Sequence, residues 1–206
     1  MHVSVRNAIA VLAALVGGIA ASIATTGDNT WVTTYFSKLG THPDLSGLLF
    51  ALGMVISGGF LARYAAAIGR AIRAANLCTT PAGPAAISGL LAAMGANLAL
   101  IGMVPISVDK HIHDLATLGV AGSFVLLMLT APLVMRQRPA PLLVASFGAV
   151  LVLGITGTLL NRGTISLTLF EVLAATIMFG WGGTLTRAVV RAHRAVEAAR
   201  LVPVQV

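Results

Sequence analysis

The side chains of this sequence that are suited to chemistry are few, and they stand within or between long apolar runs. Glu171 lies inside the last apolar run, about 9 Å of helix rise from its start. An ionisable group that deep in a membrane is costly, so it usually faces the interior of a helix bundle and has a partner. His113 opens an earlier run. Together with Asp109, Asp114 and Arg162, these two residues predict a polar ligand-binding pocket at one end of a bundle.

The same residues suggest a metal site as an alternative. Asp109 and His113 are four residues apart and share a face if the helix already includes Asp109. With Glu171, and with Asp114 as a substitute for Asp109, they could bind zinc, whose bound water is a nucleophile. The competing interpretation is structural, with Asp109 capping the helix and His113 bonding to Glu171. We therefore expect no cofactor, with zinc as the alternative.

Other catalytic patterns are missing from the sequence. Cys78 is the only cysteine, which excludes a disulfide framework within the chain. No Gly-x-Ser-x-Gly elbow occurs, and the many glycines lie in apolar runs rather than in phosphate-binding loops. These absences argue against nucleophilic hydrolases of the serine type and against nucleotide-binding enzymes.

The elements that must position these residues are apolar helices. The chain has 206 residues, of which 57% are hydrophobic and 9% charged, whereas soluble domains carry about 25% charged residues. A spanning helix needs about 20 apolar residues. The uncharged runs predict an all-α membrane bundle over residues 1–187, followed by a basic tail over 188–206. Its six spans are predicted near residues 7–25, 45–65, 84–106, 113–135, 141–160 and 165–187.

The basic residues predict the orientation of the bundle, because cytoplasmic loops of bacterial membrane proteins are enriched in Lys and Arg. Six spans place ten of the thirteen Lys and Arg on one face: Arg6, Arg63, Arg70, Arg73, Arg136, Arg138, Arg187, Arg191, Arg194 and Arg200. Both termini are therefore expected in the cytoplasm of a bacterium. The first run resembles a signal peptide, but its uncharged stretch is longer than a signal core of about 7–15 residues, so we expect it to be retained.

Small residues recur in almost every span and predict flat contact patches between helices, since helices in lipid associate by close packing. The predicted patches are Gly17 with Gly18, Gly58 with Gly59, Gly89 with Ala93, Gly119 with Ser123, Gly154 with Thr158, and the glycines of 180–183. A tight bundle is expected.

Short motifs in this chain resemble a known family. Residues 35–40 (YFSKLG), followed by 48–53 (LLFALG), resemble the first loop and second helix of the six-helix membrane family catalogued as domain of unknown function 998. Residues 101–105 (IGMVP) and 113–116 (HDLA) are similar to the end of its third helix and the histidine that opens its fourth. Glu171 is similar to an acidic residue in its last helix. The layout is also similar, more distantly, to DRAM and Sfk-type six-spanning proteins.

The resemblance covers roughly residues 30–185 and implies six spans and a polar site of unestablished function at Pro105, His113 and Glu171. The chain departs from the family pattern at two positions. Ser46 stands where the family often has an Asn, and Val104 where it often has a Phe before the proline.

These observations lead to one leading functional hypothesis and two alternatives. The leading hypothesis is a non-enzymatic integral membrane protein whose extracytoplasmic pocket binds a lipid headgroup or a partner protein. One alternative is a membrane-embedded metal-dependent lipid hydrolase, and the other is a small transporter that uses Glu171 as a proton carrier. The expected partners are membrane lipids and other membrane subunits or a second copy of the chain. Nucleic acid is not expected, because membrane topology explains the basic residues.

Overall fold

A computed structural model describes the backbone of residues 2–136 and 139–201, with side chains from Val5 onward except at positions 197 and 199–201. Within these ranges the chain forms six α-helices. They are α1 (His2–Thr25), α2 (Leu45–Ala74), α3 (Gly83–Met103), α4 (Lys110–Val134), α5 (Ala140–Asn161) and α6 (Leu167–Leu201). Two short 3₁₀ turns, Thr30–Val32 and Phe36–Thr41, lie in the connection between α1 and α2. The predicted all-α architecture is confirmed.

All six helices are long and apolar enough to cross a membrane. The chain is therefore a multi-pass membrane protein, as its composition predicts. The connections alternate between the two ends of the bundle. The Glu171 end is the end of the bundle where α6 begins. The Arg187 end is the opposite one, where α1 begins and the second half of α6 lies.

Polar side chains and prolines define where the helices begin. Asp44 caps α2, because its Oδ1 accepts hydrogen bonds from the amides of Ser46 (2.9 Å) and Gly47 (3.3 Å). Asp109 caps α4 by accepting from the amide of Ile112 at 3.0 Å, which confirms the structural interpretation of that residue. Pro84 occupies the first turn of α3, where a missing amide hydrogen costs nothing.

Helix α2 is longer than predicted. It continues past the predicted end near residue 65 to Ala74. The segment after 65 is rich in alanine and free of proline, so the helix carries on beyond the apolar run with little penalty. This continuation places Arg70 and Arg73 on a helix rather than in a loop. Helix α6 runs without a break from Leu167 to Leu201, so the basic tail continues it as the sequence predicts.

Glycines bring three neighbouring helices into close contact around α2. A Cβ atom on Gly18 of α1 would lie 2.5 Å from the Cα of Gly53 on α2. A Cβ on Gly58 would lie 2.4 Å from the carbonyl oxygen of Gly95 on α3. Only glycine permits these backbone approaches. The predicted patches at Gly18, Gly58 and also Gly119, which meets Asn97 of α3, are confirmed.

The other glycines of the predicted patches do not make close contacts with a neighbouring helix. Cβ atoms added to these glycines meet nothing within 4 Å, and the residues are Gly17, Gly59, Gly89, Gly154, Gly180, Gly182 and Gly183. The second half of the bundle is instead joined by larger side chains. Trp181 of α6 donates from Nε1 to Ser146 of α5 at 2.9 Å and packs edge-on against Phe124 of α4, with 5.7 Å between ring centroids. The small residues of α6 therefore leave space free rather than fill it.

Candidate functional site

Glu171 fastens the connection between α1 and α2 to the first turns of α6. Its Oε2 accepts a hydrogen bond from the backbone amide of Phe36 at 2.7 Å. One turn earlier, Thr168 donates its amide to the carbonyl of Thr34 at 3.2 Å and its hydroxyl to the carbonyl of Trp31. The rings of Trp31 and Phe36 stack with 5.6 Å between centroids. These contacts hold the connection across the Glu171 end of the bundle.

The connection also has a hydrogen bond network of its own. Asp28 accepts from the amide of Thr30 at 2.8 Å and from its hydroxyl at 2.9 Å, and Nε2 of His42 lies 3.4 Å from the second carboxylate oxygen. The hydrogen bonds from Thr30 lower the pKa of Asp28, with smaller contributions from His42 and Lys38. The carboxylate is therefore charged at neutral pH and fixes the start of the first 3₁₀ turn.

His113 is buried, with 3% of its surface exposed, and its Nδ1 lies 2.8 Å from the carbonyl oxygen of Val104. A carbonyl only accepts, so Nδ1 donates the hydrogen in this contact. Nε2 is buried and has no hydrogen bond partner within the described ranges. His113 thus satisfies a carbonyl at the end of α3, where helical carbonyls have no intrahelical partner.

The predicted hydrogen bond between His113 and Glu171 is wrong. Each of the two side chains has a backbone partner instead: the carbonyl of Val104 for the imidazole and the amide of Phe36 for the carboxylate. Both partners are main-chain groups left free at the end of a helix or in a turn, and buried main-chain groups need partners as much as side chains do.

The other predicted site residues also stay apart from Glu171. Asp109 caps α4, Asp114 pairs with Lys110 on the exposed side of the same helix, and Arg162 ends α5 in an exposed position. Glu171 lines a cavity that is described below, and neither these three residues nor His113 are among its lining residues. The predicted convergence of all five on one pocket is therefore not what the structure shows. Across the described side chains, no group of three His, Cys, Asp or Glu is placed to hold a metal ion.

Glu171 instead lies at one end of a long cavity inside the bundle. The cavity measures about 750 Å³ and is lined by α1, α2, α3, α4, α6 and the second 3₁₀ turn. Along α6 its lining extends from Phe170 and Glu171 to Arg187 and Val190. Glu171 and Arg187 are 16 residues apart, which corresponds to about 24 Å of helix. The cavity therefore runs through most of the hydrocarbon thickness of a bilayer, about 30 Å.

The side of the cavity along α1 is only loosely closed. Helix α1 packs on α2 and meets α6 at only a few points. Val5, Ile9 and Leu12 of α1 line the cavity and still have 42%, 61% and 42% of their surfaces exposed. The cavity is therefore least enclosed at a gap between α1 and α6.

The walls of the cavity are apolar, and the polar groups lie toward its ends. Near the Arg187 end, Thr186 donates its hydroxyl to the carbonyl of Gly182 at 2.8 Å, so Tyr64 donates to Thr186 at 2.7 Å. Gly182 and Gly183 both line the cavity. Because they have no side chains, they widen it at this point. Arg187 lines the same region and is exposed.

The cavity was not predicted from the sequence. The glycines of α6 and Arg187 are sequence signals compatible with a cavity, but the glycines equally indicate helix contacts and Arg187 a topology signal. Small residues and a basic residue give the same sequence pattern whether their helix face packs against another helix or lines a cavity.

Comparisons with known proteins give no guide to the function of this site. No protein family, curated protein or solved structure matches this chain. The resemblance to the six-helix family of unknown function therefore stays a prediction from the sequence.

Proposed function

We propose that this chain is a non-enzymatic multi-pass protein of a bacterial cytoplasmic membrane, and that it binds a membrane phospholipid with an acyl chain inside the cavity between α1 and α6. The observation that carries the proposal is the shape and lining of that cavity. One leaflet of a bilayer contributes about 15 Å of hydrocarbon, half of the whole core. A cavity about 24 Å long between Glu171 and Arg187 accommodates an acyl chain of that length.

The gap along α1 supports the same proposal. A ligand that arrives from the membrane needs a lateral opening, and α1 leaves one where Ile9 and Leu12 are both cavity-lining and exposed. Apolar walls suit a ligand that carries a hydrocarbon chain, because they offer no hydrogen bonds to a polar solute along most of the length. A partner protein, the other occupant considered from the sequence, would have to insert a helix through this gap.

Glu171 has a supporting role in this proposal. Its carboxylate accepts the amide of Phe36, and both residues line the end of the cavity. The contact closes the cavity at its Glu171 end. The predicted ligand-binding roles of His113, Asp109, Asp114 and Arg162 are not part of the proposal, since these residues lie outside the cavity lining.

The distribution of charge orients the protein in the membrane. The Arg187 end carries most of the basic residues, which favours the cytoplasmic side. The Glu171 end would then face the exterior.

A pair of glycine substitutions tests the proposed cavity. Gly182 lines it and Gly154 of α5 lies outside it, and an added Cβ meets nothing within 4 Å at either position. Both Gly182→Leu and Gly154→Leu should therefore fold. Binding of a fluorescent phosphatidylglycerol to the purified protein in nanodiscs is expected to fall at least about five-fold for Gly182→Leu, because overpacking a filled site costs about 1–3 kcal/mol. Gly154→Leu should bind like the unmodified protein. Equal binding by all three proteins would overturn the proposal.

A further inference from the structure

We infer that the bound lipid is anionic and that Arg187 binds its phosphate at the membrane face where α1 begins. This inference rests on the proposed lipid binding and adds the headgroup class and the residue that selects it. It also moves the headgroup to the end of the cavity opposite the one predicted from the sequence.

An acyl chain alone gives the cavity little means of selection. Lipid tails are as apolar as leucine, so a chain that moves from the bilayer into the cavity gains no hydrophobic free energy. Selectivity must then come from polar groups at the two ends of the cavity. Among its lining residues, Glu171 is the one with a carboxyl group and Arg187 the one with a basic side chain.

The Glu171 end is already occupied by the protein itself. Oε2 of Glu171 accepts the amide of Phe36, and the connection from α1 lies across this end through the contacts of Thr168 with Trp31 and Thr34. A headgroup there would have to displace three hydrogen bonds. The carboxylate therefore belongs to the closed end of the cavity.

The positive charge of Arg187 has no acidic partner among the side chains that the structure describes. Arg187 has no hydrogen bond or ion pair with any described side chain, and the ion pairs found in the described ranges are His42 with Asp28 and Lys110 with Asp114. The acidic residues whose side chains are described all belong to the opposite half of the bundle, and they are Asp28, Asp44, Asp109, Asp114 and Glu171. Glu197 follows Arg187 by ten residues, or about 15 Å along α6.

The position of Arg187 suits a phosphate in particular. A planar guanidinium donates two parallel hydrogen bonds to phosphate oxygens, which an ammonium group does not. Its apolar stem can follow the cavity wall while the charge stays at the interface. Arg6 directly follows the cavity-lining Val5 on α1 and adds a second positive charge to the same end of the bundle. An acyl chain in the cavity would thus place its phosphate between α1 and α6.

The experiment compares two lipids with identical acyl chains, phosphatidylglycerol and phosphatidylcholine, at fixed ionic strength in nanodiscs. Both lipids carry the phosphate, but the choline ammonium of phosphatidylcholine cancels its charge and is repelled by the guanidinium. The purified full chain is therefore expected to prefer phosphatidylglycerol about ten-fold. Arg187→Gln should reduce that preference to near unity, because it weakens the binding of phosphatidylglycerol more than that of phosphatidylcholine. Arg187→Lys should retain part of it. Arg70→Gln is the matched control, since it removes the same charge from an exposed position at the same end but outside the cavity lining.

The outcomes separate the two proposals. If Gly182→Leu weakens binding of both lipids while Arg187→Gln keeps the full preference, the headgroup inference is overturned and lipid binding in the cavity stands. A full chain without any preference, or an equal loss of preference in Arg70→Gln, also overturns the headgroup inference. If Gly182→Leu changes the binding of neither lipid, the cavity is not the site and both proposals fail.

Discussion

The backbone amide of Phe36 donates a hydrogen bond to the carboxylate of Glu171 at 2.7 Å, although the two residues are 135 positions apart in the chain. This contact gives the acidic side chain a hydrogen bond partner within an otherwise apolar part of α6. It ties the connection between α1 and α2 to α6 and closes one end of the cavity, where an unpaired amide would otherwise be left in a water-poor environment.

Removal of this carboxylate should destabilise the protein. Glu171→Ala leaves the amide of Phe36 without its acceptor, and we expect the free energy of unfolding to fall by about 1–3 kcal/mol. Glu171→Gln keeps an acceptor oxygen and should lose less. Unfolding by SDS in detergent micelles, followed by tryptophan fluorescence, measures the difference. Asp114→Ala is the control, because its exposed ion pair with Lys110 contributes at most about 1 kcal/mol. Equal stability of Glu171→Ala and Asp114→Ala would contradict the structural role of the contact.

The close approach of α1 and α2 predicts opposite effects for two adjacent glycines. Gly18→Ala places a Cβ atom 2.5 Å from the Cα of Gly53 and should cost about 1–3 kcal/mol by forcing the helices apart. Gly17→Ala meets nothing within 4 Å and should be neutral or stabilise the helix by up to about 1 kcal/mol. The same SDS titration compares them. A Gly18→Ala protein as stable as Gly17→Ala would show that α1 and α2 do not pack as described.

Cys78 should react slowly with thiol reagents in the folded protein. It is buried between α2 and α3, in a segment fixed by hydrogen bonds from Thr79 to Val134 and from Arg136 to Leu77. Burial raises the pKa of its thiol, and the positive charge of Arg136 opposes that effect only in part. Because the thiolate is the reactive form, less of it is present at any given pH than in a free cysteine.

The rate of maleimide labelling against pH measures this shift. We expect the rate in the folded protein to rise at higher pH than the rate after unfolding in SDS, and to be lower throughout the neutral range. Coincident pH profiles before and after unfolding would contradict the burial of Cys78.

The asymmetry of basic residues predicts the membrane orientation. A reporter that is active only outside the cytoplasm should be inactive when fused after Val206 and active when inserted between α5 and α6, next to Gly163. The physical reason is that the Lys and Arg near the ends of spans remain on the cytoplasmic side. Activity at the first position and inactivity at the second would reverse the orientation and place Arg187 at the exterior.

The sequence was sufficient for the fold because hydropathy reports the solvent of each helix directly. All six spans were predicted near their observed positions, and the cap at Asp109 followed from its residue type and place. The predicted end of α2 is too early, because an apolar run stops at the membrane boundary but a helix does not have to. Helix α2 continues to Ala74, since the residues beyond the boundary favour a helix.

The site was harder to predict because its decisive contacts involve main-chain atoms. The amide of Phe36 and the carbonyl of Val104 carry no residue-specific signal, so the sequence predicts only side-chain partners for His113 and Glu171. The cavity was missed for a related reason. Gly18 and Gly182 look alike in sequence, yet the rotation of their helices makes one a tight contact and the other part of a void.

The central claim is that a lipid chain lies inside the bundle, and photo-cross-linking tests it most directly. The probe is a phosphatidylglycerol with a diazirine at the middle of one acyl chain, irradiated with the protein in nanodiscs and mapped by peptide mass spectrometry. We expect cross-links at the cavity-lining Met178 and Phe179 and at Ile9 of α1, and their loss in Gly182→Leu. Cross-links confined to the exposed face of α5, at Phe147 and Leu151, would contradict lipid binding in the cavity.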